Sequence, residues 1–374
     1  MSFDEIWAVP DAAVASGRIP GYVAAVRVRG HVEIHAAGRT AIEAGSPPMR
    51  TNTLFRIASV TKPIGGVLTL SLVEDGVIAL DDEVARWAPE LASPRVLRAA
   101  DGPLDDTVPA VRPVTVRHLL TLTSGWGVGL ESSPLITAMM ERGVFASPMG
   151  HTIGADEFIA RVGQLPLVFQ PGEGWRYETS MNLLGIVLER ATGRTLSELL
   201  AERVFGPLGL ADTAFAAVDP ARMAAAYRPG DDGALELTDP PDGRFARPPG
   251  FEQLSGGLVS TAGDILRFCN AIADGELLSD ASRAAFSADA LTPQQRATAS
   301  DAFLPPGASW GLGTGVITET GAWGWTGGTG TTASVDPSHD TVAVLLTQRA
   351  MAGPDDSPED FYGAVEAAAQ RPLS

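Results

Sequence analysis

Ser59 and Lys62 place a hydroxyl and an amine three residues apart, where a strand pattern gives way to a helix pattern. On a helix, positions i and i+3 share a face, so the amine can reach the hydroxyl. A serine paired in this way can attack an acyl group while the amine accepts its proton. In the first turn the Ser59 backbone N–H lacks an intrahelical acceptor and can donate to an oxyanion. The lysine is also singular: of 27 basic residues, 26 are arginine and one is Lys62. Arginine serves ion pairs and surface charge but does not give up its proton, whereas lysine can. Lysine used once in 374 residues points to a position that needs a titratable amine.

Gly307-Ala308-Ser309-Trp310-Gly311 offers a second serine in G-x-S-x-G spacing. That pattern makes a nucleophile elbow only between a strand and a helix. Here Pro305 and Pro306 precede it and a glycine-rich strand pattern follows, so it reads as a decoy. The glycine runs at 311–315 and 327–330 lack the strand-then-helix setting of a nucleotide loop. The five histidines, His31, His35, His118, His151 and His339, show no metal-ligand spacing, so no metal and no cofactor is expected. Cys269, the lone cysteine, lies in the apolar helical pattern DILRFCNAI and reads as a buried structural thiol.

These residues need elements to hold them. Segments 21–29 (GYVAAVRVR) and 31–38 (HVEIHAAG) alternate and break at Gly30, a β-hairpin. A short strand, 54–58, runs into Ser59. A helix is expected from there to about Glu74, with Pro63 in its tolerant first turn and Gly76 at its end. Helical patterns follow at 112–123, 155–164, 180–192, 196–205 and 261–275. Segments 128–150 and 229–252, rich in Pro, Gly and Asp, read as loops over a site. Strands return at 310–317, 331–335 and 341–347, and an amphipathic helix over 358–369 closes the chain. This order predicts a sheet domain from 1–78 and 295–374, a mainly helical domain from 79–294, and an active site between them.

The chain is 45% hydrophobic, ample for a large core. A formal net charge of −18 repels phosphate backbones, which excludes nucleic acid as a partner. The N-terminus carries Asp4 and Glu5 and lacks the basic-then-apolar order of a signal peptide. No run of 18 apolar residues is present, so no membrane span and a cytoplasmic location are expected.

The segment LFRIASVTKPIGGVLTLSLVEDGVIALDDEVARWAPEL resembles the nucleophile region of the serine β-lactamase-like superfamily. That superfamily holds C-type β-lactamases, D-amino-acid peptidases and family VIII carboxylesterases. VTVRHLLTLTSG is similar to its T-x-R-x-L-L-x-H-T-S-G segment, with Leu122 where histidine is usual. PGEGWRYETSMNLLGIVLERATG matches the segment carrying its tyrosine, and PLGLADT, LSGGLVSTAGDILRF and WGWTGGTGTTASVDP follow in order. The resemblance implies an α+β fold, an antiparallel sheet flanked by helices with a helical insertion. It implies that Ser59 is acylated, that Lys62 and Tyr177 share the proton, and that the Ser59 and Gly328 N–H groups form the oxyanion hole. Gly327, Trp325, Thr179 and Trp126 would contact a small-molecule substrate.

Two positions depart from the pattern. Thr179 replaces an asparagine, and Trp325 stands where β-lactamases carry lysine and many relatives histidine. A cation there would hold the carboxylate of a β-lactam, whereas tryptophan offers an apolar wall. Some family VIII carboxylesterases share both replacements. The expected function is therefore hydrolysis of short or apolar acyl esters through an acyl-enzyme on Ser59. The alternatives are a β-lactamase, D-amino-acid amidase or acyltransferase of the same superfamily, or a catalytically silent acyl-ligand binding protein.

Overall fold

The computed structural model describes residues 3–145, 150–353, 356 and 360–371. Seven antiparallel strands form the main sheet, in the spatial order His31–Gly38, Gly21–Val28, Thr341–Thr347, Thr331–Asp336, Trp323–Gly327, Gly315–Ile317, Ala308–Trp310. Both ends of the chain thus build one sheet, as the patterning predicts. The hairpin turns at Arg29 and Gly30, both at positive φ, the geometry that follows the natural twist of two strands.

Strands Gly21–Val28 and Thr341–Thr347 are buried on both faces because helices cover each side. Tyr22, Ala24, Val26, Ala343 and Leu345 face Asp4–Ala15 and Phe361–Ala369 through Ile6, Trp7, Phe361 and Val365. Val23, Ala25, Val342, Val344 and Leu346 point the other way, into the large core. The two-residue period of a strand makes this division. The second face is covered by helix Ala262–Ala273, whose Ile265, Leu266, Phe268, Cys269 and Ile272 are buried. This helix belongs to segment 79–294, expected as a mainly helical domain, so that segment packs directly on the sheet. A single apolar cluster runs from Val23 and Leu346 through Leu119 and Leu183, with no break at that boundary. Burial pushes the Cys269 thiol up to about 12, in keeping with a structural thiol.

The helices appear close to their expected places, at Val116–Leu120, Ala155–Gly163, Thr179–Thr192, Leu196–Leu200 and Ala262–Ala273. Three local readings change. The expected strand 310–317 is two short strands, and Trp323–Gly327 adds a strand whose two glycines hid its propensity; pairing of Trp325 with Ala333 and Gly327 with Thr331 makes it. Segment 128–150 contains the helix Pro134–Glu141, begun by the Ser133 hydroxyl accepting from the Ile136 N–H. Its residues 146–149 lie outside the described residues. Segment 229–252 includes half of a hairpin, Ala226–Pro229 with Leu235–Asp239. The closing helix begins at Phe361; residues 358 and 359 lie outside the described residues. Among the described residues no helix is long and apolar enough to cross a membrane.

The strand before Ser59 is anchored by a buried ion pair. Arg56 Nε donates to Asp239 Oδ2 at 2.7 Å, and its other nitrogens reach Asp239 and the Ala224 and Pro240 carbonyls. Removing one partner leaves a buried charge unpaired, which costs about 3–5 kcal/mol. Asp239→Ala should lower stability by that amount in denaturant unfolding, while a surface pair such as Arg228 with Glu236 should contribute under about 1 kcal/mol.

Candidate active site

Ser59 sits in a short 3₁₀ turn, Ala58–Val60, that leads into the buried helix Thr61–Glu74. The regular helix thus begins two residues later than the sequence suggests. Ala58, just before Ser59, adopts φ 43°, a left-handed conformation uncommon for a non-glycine residue. Such conformations concentrate at functional sites. Pro63 falls in the first turn, where its missing N–H costs nothing.

Lys62 is fully buried, yet its amine has three polar neighbours. Nζ lies 2.8 Å from Ser59 Oγ, 3.2 Å from the Tyr177 hydroxyl and 2.6 Å from the Ser255 carbonyl. Tyr177 is held by its backbone, which exchanges hydrogen bonds of 3.0 and 3.1 Å with Val128. Its ring stacks on Phe303 at 4.5 Å between centroids.

Trp325 does more than supply an apolar wall. Its indole N–H donates to the Tyr177 oxygen at 2.6 Å. The indole is braced edge-on by Trp310 at 4.7 Å and lies over Gly315, where a Cβ would meet it at 2.5 Å. The Tyr177 oxygen therefore has a donor on one side and the lysine amine on the other.

The 327–331 turn is stitched to the strand before Ser59. Thr329 Oγ1 donates to the Arg56 carbonyl at 2.6 Å and Thr331 Oγ1 to the Ile57 carbonyl at 2.8 Å. Gly327 permits the approach: a Cβ there would lie 2.4 Å from the Ile57 oxygen and 3.2 Å from Ala58 Cβ. Gly328 lies between these fastenings. Ser59, Tyr177, Trp325 and Gly328 are partly exposed, whereas Lys62 behind them is sealed.

The other expected contacts lie elsewhere. Trp126 is buried in the core and spends its N–H on the Leu165 carbonyl at 3.2 Å. Thr179 is wholly buried at the start of its helix, and among the described residues its hydroxyl has no hydrogen-bond partner. Ser309, in the decoy motif, is also fully buried and bonded to Asp289 and Arg296.

Residues 8–368 match the profile of the Beta-lactamase family. This chain belongs to that family. It is 36% identical to esterase EstB of Burkholderia gladioli over 299 residues, 74% of this chain and 72% of that protein. It is 35% identical to lovastatin esterase of Penicillium rubens over 233 residues, 60% of this chain and 56% of that protein. Among solved structures, EstCE1, a hydrolase with promiscuous acyltransferase activity, has a TM-score of 0.80 at 24% identity. The match covers 98% of this chain and 97% of EstCE1, and it is a likeness of fold.

Within this member of the Beta-lactamase family, sequence reasoning missed Ser255 and Phe303. The motif LSGGLVST marked the neighbourhood of Ser255, but the group facing Lys62 is its backbone carbonyl, which no residue type announces.

Proposed function

We propose that this chain is a serine carboxylesterase, of the family VIII type, acting on short or apolar acyl esters. The observation that carries the reading is the chain of groups Ser59 Oγ, Lys62 Nζ and Tyr177 OH, with Trp325 donating to the last. Ser59 Oγ attacks the ester carbonyl carbon and its proton passes to the Lys62–Tyr177 pair. The ester C–O bond then breaks, and the leaving alcohol takes that proton. Water attacks the acyl-enzyme, the pair accepts its proton, and the carboxylic acid departs as Ser59 regains a hydrogen. The N–H groups of Ser59 and Gly328 receive the developing oxyanion, and a donor in such a position is worth about 10²–10³-fold in kcat. The relationship to EstB and lovastatin esterase supports ester hydrolysis.

The rings of Tyr177, Phe303 and Trp325 favour an apolar acyl group over a carboxylate. No lysine is left to bind an anion, since Lys62 is the chain's only one. One lost hydrogen bond to a charged group is worth about 1.5–3 kcal/mol, or roughly 10–150-fold. p-Nitrophenyl butyrate should therefore exceed any cephalosporin in kcat/KM by at least about that factor. Measuring both on one preparation tests this; a cephalosporin turned over with the higher kcat/KM would refute the ester preference.

A further inference from the structure

Glu178 lies between Tyr177 and Thr179, is 5% exposed, and has no part in the steps above. Its backbone adopts φ 77° and ψ −64°, and the Thr179 N–H donates across it to the Tyr177 carbonyl at 3.1 Å. This is the γ-turn of the rare, strained hand. Such strain persists only where the surroundings over-determine it.

What surrounds it is a network around a buried carboxylate. Oε1 accepts from the Ser255 hydroxyl at 2.7 Å and from the Asn182 amide at 3.0 Å. The Asn182 oxygen in turn accepts from the Ser255 N–H at 3.2 Å. Side chain and backbone of Ser255 are therefore both held, and its carbonyl meets Lys62 Nζ at 2.6 Å. An amine that spends one hydrogen on a fixed acceptor keeps its remaining directions for Ser59 and Tyr177. Behind the carboxylate lies the buried ring of His151, with Nε2 3.9 Å from Oε1. Among the described residues neither His151 Nε2 nor Glu178 Oε2 has a hydrogen-bond partner. His151 Nδ1 lies 3.3 Å from the Gly143 carbonyl, which can only accept, so Nδ1 is the donor there.

We propose that Glu178 is a positioning residue for the base: its carboxylate fixes Ser255 so that the Ser255 carbonyl aims Lys62 at Ser59 and Tyr177. The inference rests on the reading of Ser59 and Lys62 as nucleophile and base. It predicts that what matters at position 178 is an oxygen in the place of Oε1. Glutamine keeps that oxygen for Ser255 and Asn182; alanine does not.

The test compares wild type, Glu178→Ala, Glu178→Gln and Ser255→Ala. It reads kcat and KM on p-nitrophenyl butyrate, the rate of fluorophosphonate labelling at Ser59, and the melting temperature. Loss of a supporting partner typically costs about 10–100-fold, so Glu178→Ala should lose about that in kcat and labelling rate, with KM within about threefold. Glu178→Gln should recover to within about fivefold of wild type, and Ser255→Ala, which loses the hydroxyl bond to Glu178 but keeps the N–H bond to Asn182, should fall between. A folded Glu178→Ala that labels at the wild-type rate overturns the proposal, as does a loss confined to KM or a Glu178→Gln as damaged as the alanine variant. If Glu178→Ala does not fold, Ser255→Ala decides, and a wild-type rate in it is equally fatal. Wild type that takes no label at Ser59 overturns the active-site reading along with the positioning role; labelled wild type with an indifferent Glu178→Ala overturns the positioning role alone.

Discussion

Ser59→Ala should abolish both turnover and labelling by a fluorophosphonate, while Ser309→Ala leaves both largely intact. The two serines differ in setting rather than in chemistry. Ser59 is partly exposed, in a turn that opens a helix, and its oxygen lies 2.8 Å from a lysine amine. Ser309 is fully buried in the strand Ala308–Trp310, its hydroxyl is committed to Asp289, and the next element is another strand. Removing the nucleophile from a serine hydrolase typically costs on the order of 10⁶-fold in kcat. Replacing Ser309 removes a hydrogen bond, so the change should be seen in melting temperature more than in rate. Mass spectrometry of the labelled peptide checks the assignment; an adduct on Ser309 would reverse it.

Lys62→Arg should be nearly as damaging as Lys62→Ala, although it keeps the charge. A guanidinium stays protonated at any working pH and cannot accept the Ser59 proton. It is also planar and larger than the ammonium, and the space is already full: Lys62 is completely buried, with Ser59, Tyr177 and Ser255 each within 3.2 Å of its amine. Loss of a general base typically costs about 10²–10⁴-fold in rate, and both variants should fall in or above that range. If the amine were a structural cation, arginine would serve, as it does at the other 26 basic positions. The measurement is kcat for both variants, with circular dichroism and melting temperature to show that each folds. A folded Lys62→Arg with near-wild-type activity would remove Lys62 from the mechanism.

Much of this protein was legible in the chain because its signals are local or periodic. The runs 21–29 and 341–347 could be read as strands, and the structure buries their two faces against different helices. The serine–lysine spacing is a property of one helical turn, so it could be read without knowing what packs around it. Tyr177 required the family frame, since no local rule brings a phenol beside an amine 115 positions away.

Other features needed the tertiary structure. That helix Ala262–Ala273 covers the sheet could not be read from the chain, because its apolar face suits a sheet as well as a bundle, and periodicity does not name the partner. The tryptophan at 325 could be read as apolar, but the direction of its N–H towards Tyr177 comes from Trp310 and Gly315 packing around it. The Ser255 carbonyl is a backbone atom 193 positions from Lys62 in sequence, a group that every residue carries. Sequence thus determined which side chains could do the chemistry, because type and spacing are written in it. Where their hydrogen bonds point was decided by the packing of distant segments, because a hydrogen bond depends on direction and distance as well as on identity.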